Sequence, residues 1–157
     1  AGVEAANEIY GSSNEGLFPS SLTIRNNTIK SEGITSQYSP IRVYSWEAKI
    51  GEYAAIDGAL IENNTIDVPS VEGMISVKSV TGLYMLNNTI KCDKPLNEAT
   101  MPVVINNSSI NMIDGLNFEF KQNVSSVITI TGCEMDENNI KNINIIGENT
   151  AKPYSVK

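Results

Sequence analysis

Between Tyr44 and Asp57 the chain gathers Tyr44, Trp46, Glu47, Lys49, Glu52, Tyr53 and Asp57, including its single tryptophan. Aromatic planes stack on the apolar faces of sugar rings while carboxylates bind their hydroxyls, so this stretch is the first candidate for a glycan site. Trp46 would be the stacking platform, with Arg42, Tyr44, Glu47 and Lys78 supplying contacts around it. The alternative is that Trp46 folds back over its own loop and the acids are solvated. Hydrolysis of a glycosidic bond needs two carboxyl groups about 5 to 9.5 Å apart. Glu47, Asp57 and Glu62 are the acids that could converge through this loop, although scattered surface acids are more often solvated charges.

Much other chemistry is excluded by what the chain lacks. It has no histidine, which removes imidazole metal sites and every nucleophile activated by a histidine base. No cluster of aspartates suggests calcium, and no cofactor is implied. Eleven basic against eighteen acidic residues give a net charge of −7, the wrong sign for neutralising phosphates, so nucleic acid is not an expected partner. No apolar stretch approaches the roughly 18 residues of a membrane span. Cys92 and Cys133 permit one disulfide without implying it. They occupy different places in the repeat described next, which favours two buried free thiols.

The frame that would position these residues is a recurring phrase. Arg25-Asn26-Asn27-Thr28-Ile29, Glu62-Asn63-Asn64-Thr65-Ile66 and Leu86-Asn87-Asn88-Thr89-Ile90 each follow a short apolar run, namely Leu22-Thr23-Ile24, Ala59-Leu60-Ile61 and Leu83-Tyr84-Met85. Strand, asparagine turn, strand is a unit that cannot bury its apolar face alone, so its repetition implies stacked coils around one core. Taking the second asparagine as the marker places successive coils at Asn27, Asn64, Asn88, a degenerate Asn123 and Asn139. Asparagine tolerates the left-handed conformation of a tight turn, and its amide can bond the asparagine of the next coil, giving an internal ladder. The same residues create glycosylation sequons at Asn26, Asn63, Asn87, Asn106, Asn107 and Asn123, read here as incidental because an inward-turned ladder residue would be a poor acceptor.

A third strand per coil is predicted in Ile41-Arg42-Val43-Tyr44, Met74-Ile75-Ser76-Val77, Pro102-Val103-Val104-Ile105 and Val127-Ile128-Thr129-Ile130. With a period of two, Ile41, Val43, Ile75, Val77, Val103 and Ile105 point inward, and Arg42, Ser76 and Val104 form an outward row beside Tyr44, Lys78 and Asn106. No stacked carboxylate pair appears in that row. The fold expected is all-β, a right-handed parallel β-helix of about five coils, forming one domain over residues 1–157. The start of the chain through Gly16 shows no amphipathic cap, which suggests a chain that begins mid-solenoid, the C-terminal part of a longer protein.

Short strands ending in Asn-Asn-Thr-Ile, with Gly-Leu-Tyr-Met-Leu entries, resemble the coils of the pectate-lyase-like right-handed β-helix superfamily over nearly the whole chain. Pro40 to Glu47, followed by Ile56 to Ile66, is similar to coils of glycoside hydrolase family 110, α-1,3-galactosidases of gut bacteria. The polygalacturonase pattern of Asp, Asp-Asp, Gly-His-Gly and Arg-Ile-Lys is echoed only by Ile41-Arg42-Val43. The resemblance implies a secreted, periplasmic or cell-surface bacterial protein associated with polysaccharide. It is expected to be the last coils of a polysaccharide-active enzyme, a glycoside hydrolase or lyase whose missing N-terminal coils hold the catalytic groups. The alternatives are a non-catalytic glycan-binding, adhesive or phage-fibre β-helix, or a structural spacer.

Overall fold

The structure, a computed structural model, describes residues 3–10, 13–15, 20–31, 37–45, 56–68, 70, 72–92, 101–120, 124–146 and 152–157. The first coil comprises β1 (Val3–Tyr10), the short β2 (Ser13–Glu15), β3 (Ser20–Arg25) and β4 (Thr28–Lys30). The second has β5 (Ile41–Ser45), β6 (Ile56–Glu62) and β7 (Thr65–Asp67), and the third β8 (Ile75–Lys78), β9 (Val80–Leu86) and β10 (Thr89–Cys92). The fourth has β11 (Val103–Asn106), β12 (Ser109–Asp114) and β13 (Asn117–Phe120). Then come β14 (Ser126–Thr131), β15 (Glu134–Met135), β16 (Ile140–Lys141) and β17 (Asn144–Ile146), before β18 (Lys152–Val156). Like strands stack in parallel into three sheets. The first runs β2-β1-β5-β8-β11-β14-β18, the second β3-β6-β9-β12-β15 with β16 also on β12, and the third β4-β7-β10-β13-β17. This is a parallel β-solenoid, and among the described residues the only helix is one 3-10 turn.

About three turns are regular, against the five expected, and a ragged coil sits at each end. The second, third and fourth coils each carry one unbroken strand per sheet. In the first coil, β2 turns back antiparallel onto β1. In the last, the second-sheet segment breaks into two-residue strands around a 3-10 turn at Glu137–Asn139, capped by Asp136, whose side chain accepts from the Asn138 N–H.

The alternation of β-branched residues explains the bore. Ile41, Val43, Ile75, Val77, Val103, Ile105, Ile128 and Ile130 are all 0% exposed and lie in register across the first sheet. The second sheet supplies the column Ile24, Ile61, Met85, Ile113 and the third the column Ile66, Ile90, Phe118. Each such side chain contributes about 1.5–3 kcal/mol on burial. The outward row is also as the pattern predicts, with Arg42 beside Ser76 and Val104, and Tyr44 beside Lys78 and Asn106.

The corner between the second and third sheets holds the ladder. Asn27 Nδ2 donates to Asn64 Oδ1 and Asn64 Nδ2 donates to Asn88 Oδ1, both at 2.9 Å. The same oxygens accept the Asn27 and Asn64 backbone N–H groups at 3.1 Å. Asn64 Nδ2 also donates to the Ile24 carbonyl, and Asn88 Nδ2 to the Ile61 carbonyl. The preceding residue takes the left-handed conformation, with φ 59° at Asn26, 53° at Asn63 and 52° at Asn87. These three asparagines, the acceptors of their sequons, are exposed, so the inward-turned residue is the one after each sequon asparagine, contrary to the expectation above.

The ladder stops after Asn88. Asn139 sits partly exposed in the 3-10 turn, and Asn123 lies outside the described residues. The corner is occupied by Gly115-Leu116 and then Asn142-Ile143, with φ 69° at Gly115 and 52° at Asn142. The backbone identifies them. Asn144 N–H donates to the Leu116 carbonyl just as Asn117 does to Asn88 and Thr89 to Asn64. What the turn requires is a left-handed residue followed by an inward one, and fully buried Leu116 meets that need without an amide.

Candidate functional site

The candidates named from the sequence fall on two sheets. Arg42, Tyr44 and Lys78 lie on the outer side of the first sheet. Tyr44 is only 7% exposed, and the Arg42 guanidinium lies 4.2 Å from its ring centroid and 5.4 Å from that of Tyr38. Arg42 Nε is also 3.9 Å from Glu72 Oε2. An arginine held over two rings and beside a carboxylate is a packed cluster, with the Tyr44 face covered. Trp46 and Glu47 lie outside the described residues.

Asp57 and Glu62 stand near opposite ends of β6. Five residue steps (62 − 57 = 5) at about 3.3 Å each separate them by about 16 Å, well beyond the spacing of a glycosidase carboxyl pair. Glu62 Oε1 faces Arg25 Nη1 at 3.8 Å. Asp57 is exposed and has no cation partner among the described residues. Nor does any group of three or more His, Cys, Asp or Glu among them gather as a metal site. No described helix is long and apolar enough to cross a membrane.

Asp57 nonetheless lies in a groove, on the outer face of the second sheet. The pairing Ser20 to Asp57 to Thr81, followed by Leu22 to Ala59 to Leu83, sets Ser21, Gly58 and Gly82 side by side. All three are left-handed, with φ 56°, 79° and 80°, and a stacked row of such bends turns each strand at the same level. The fourth coil follows by a different route. Asn111 is an extra residue between Ile110, paired with Leu83, and Met112, paired with Tyr84. Ser109 Oγ accepts the Gly82 N–H at 2.7 Å, and a Cβ on Gly82 would come within 3.3 Å of Asn111 Nδ2.

The resulting open groove has a volume of about 500 Å³ and is lined by Asp57, Leu60, Thr81, Tyr84, Ser109 and Asn111 among others. A second hollow of about 530 Å³ shares Thr23 and Leu60 with it and extends it to Arg25 and Asn27. Its floor is an axial column, Thr23, Leu60, Tyr84, Met112, one residue per coil. On one side stand Asp57 and Thr81. On the other runs the column Arg25, Glu62, Leu86, Asp114, Lys141, in which Lys141 Nζ is 3.8 Å from Asp114 Oδ2. Tyr84 is 41% exposed because Leu83 and Met85 on either side of it take the inward positions. A floor with one exposed ring between rows of hydroxyls, amides and carboxylates can bind a sugar; its described residues include no nucleophile paired with a base.

Searches against protein families, curated proteins and solved structures found no match for the chain. The pectate-lyase-like and galactosidase resemblances therefore rest on the sequence phrases, to which the solenoid fold adds general agreement and no family.

Proposed function

We propose that this chain is a non-catalytic glycan-binding β-solenoid module of a carbohydrate-associated protein, with its site on the outer face of the second sheet. The observation that carries the reading is Tyr84, an exposed ring on the floor of a groove whose flanks supply Asp57, Thr81 and Asn111. Aromatic rings that are apolar on the face and flanked by hydrogen-bonding groups are what pyranose recognition requires. Binding by one platform is weak, with Kd in the millimolar range, about −4 kcal/mol, because few convergent groups offset the entropy of association.

The test is a glycan array followed by calorimetric titration of any hit against wild type, Tyr84→Ala and Trp46→Ala. Tyr84→Ala should weaken binding by about tenfold or more, the worth of one stacked ring. Loss on Trp46→Ala with no effect of Tyr84→Ala would move the site to the stretch between Tyr44 and Asp57. An array without hits would leave the structural-spacer reading in front.

A further inference from the structure

We infer that the groove takes an unbranched, uncharged glycan chain lying along the solenoid axis, and that Asp57 is the residue that turns acidic glycans away. The inference rests on the glycan reading above and adds direction and class to it.

Direction follows from the stacking. The groove arises from bends at Ser21, Gly58 and Gly82 that lie in register, so it runs from coil to coil and not along any one strand. From Ser21 in the first coil to Asn111 in the fourth is three coil steps, about 14 Å at the spacing of neighbouring strands. A linear oligosaccharide laid on the column Thr23, Leu60, Tyr84, Met112 presents ring after ring to one floor residue per coil. Flanking columns run on both sides of that floor, Asp57 with Thr81 on one and Arg25, Glu62, Leu86 on the other, and a chain without branches follows the floor between them with the fewest clashes.

Class follows from charge. Arg25 is matched by Glu62, and Lys141 by Asp114, which also accepts from Asn142 Nδ2 at 2.7 Å. Asp57 alone among these groups faces the groove without a cation among the described residues. On a chain of net charge −7, a polyanionic ligand would therefore meet, beside its binding floor, a carboxylate that no described cation compensates. A neutral chain meets instead a strong acceptor for its hydroxyls. Rejection by like charge is how such a site discriminates between polymers of the same shape.

The experiment titrates the chain with cello-oligosaccharides of increasing length, with oligogalacturonates and with chitosan oligomers, using wild type and Asp57→Asn. Asp57 is exposed, so its amide variant is expected to fold, and circular dichroism checks this. The neutral series should bind more tightly with each added ring until the groove is filled. Oligogalacturonate should bind at least about tenfold more weakly, and Asp57→Asn should narrow that gap to about threefold or less, chiefly by tightening oligogalacturonate, with the neutral series weakened slightly because the amide oxygen accepts less strongly than the carboxylate. If oligogalacturonate binds wild type as well as the neutral chain, or the gap survives Asp57→Asn, the charge assignment is wrong while the glycan reading stands. A disaccharide binding as tightly as the longest chain overturns the axial orientation, and a tenfold or greater preference for chitosan overturns the uncharged class. Absence of binding across all three series removes the glycan reading itself.

Discussion

The same corner is built in two ways within one molecule. At Asn27, Asn64 and Asn88 it is filled by stacked amides, whereas at Leu116 and Ile143 it is filled by hydrocarbon. Backbone geometry is shared, including the left-handed residue before each and the parallel bond from the residue after. The two fillings differ in what they demand. An amide rung serves donors and acceptors on three coils and is costly to lose, while leucine contributes burial and serves no polar group. The ladder is therefore one solution to a backbone problem, and its value lies in the partners it satisfies.

The largest test of that difference is Asn88→Leu, which makes the third rung resemble the fourth. It leaves Asn64 N–H and Nδ2 and the Ile61 carbonyl without their partners inside the core, at about 3 kcal/mol in denaturant unfolding. Gly115→Ala comes next, at about 2 kcal/mol, because φ is 69° there and the new Cβ would run into Asn87 Oδ1. The converse exchange, Leu116→Asn, should cost only about 1 kcal/mol, since lost burial is offset by new bonds to the Asn88 N–H and the Met85 carbonyl. Equal destabilisation by Asn88→Leu and Leu116→Asn would show that polar satisfaction does not distinguish the two halves.

A small effect probes the other corner, between the first and second sheets. There Ser108 Oγ accepts the Val80 N–H at 3.1 Å, and one coil on, Cys133 donates weakly to the carbonyls of Ile105 and Thr131. Burial pushes the Cys133 thiol above its ordinary pKa, so less thiolate is present at a given pH. Alkylation of the folded chain at pH 8 should be slower than of the unfolded chain, with a rate still climbing above pH 9. Both cysteines are free, and fully buried Cys92 should react only on unfolding. Labelling of Cys133 at the rate of an unhindered thiol would show that this corner stands open.

The architecture was legible because identical residues recur where identical backbone is needed. Asn-Asn-Thr-Ile marked three coils correctly, and alternating β-branched residues gave the register of the first sheet, including Arg42 beside Ser76 and Tyr44 beside Lys78. Beyond Asn88 the marker failed because it followed a residue type instead of a conformation. Asp114-Gly115-Leu116-Asn117-Phe118 repeats the turn with different side chains, and the signal was a glycine before one apolar residue and a strand. The groove was legible in part. Leu83-Tyr84-Met85 already places Tyr84 outward by alternation, but density of aromatics drew attention to Trp46. The row of left-handed residues that shapes the groove pairs Ser21 with two glycines across long sequence separations, and no local pattern announces it.

Such a chain can diversify at its corners. In the third coil Ser79 alone joins β8 to β9, yet in the second coil residues 46–55 separate β5 from β6, and the parallel pairing that reaches Tyr44 with Lys78 on one side of that corner resumes at Ile56 with Val80 on the other. Alignment is decided by the columns, not by the length of chain between them, and each doubling of a loop costs only about 0.6 kcal/mol in closure entropy. Such a corner works as an insertion port, where foreign segments can be added and removed while the scaffold beneath keeps its alignment.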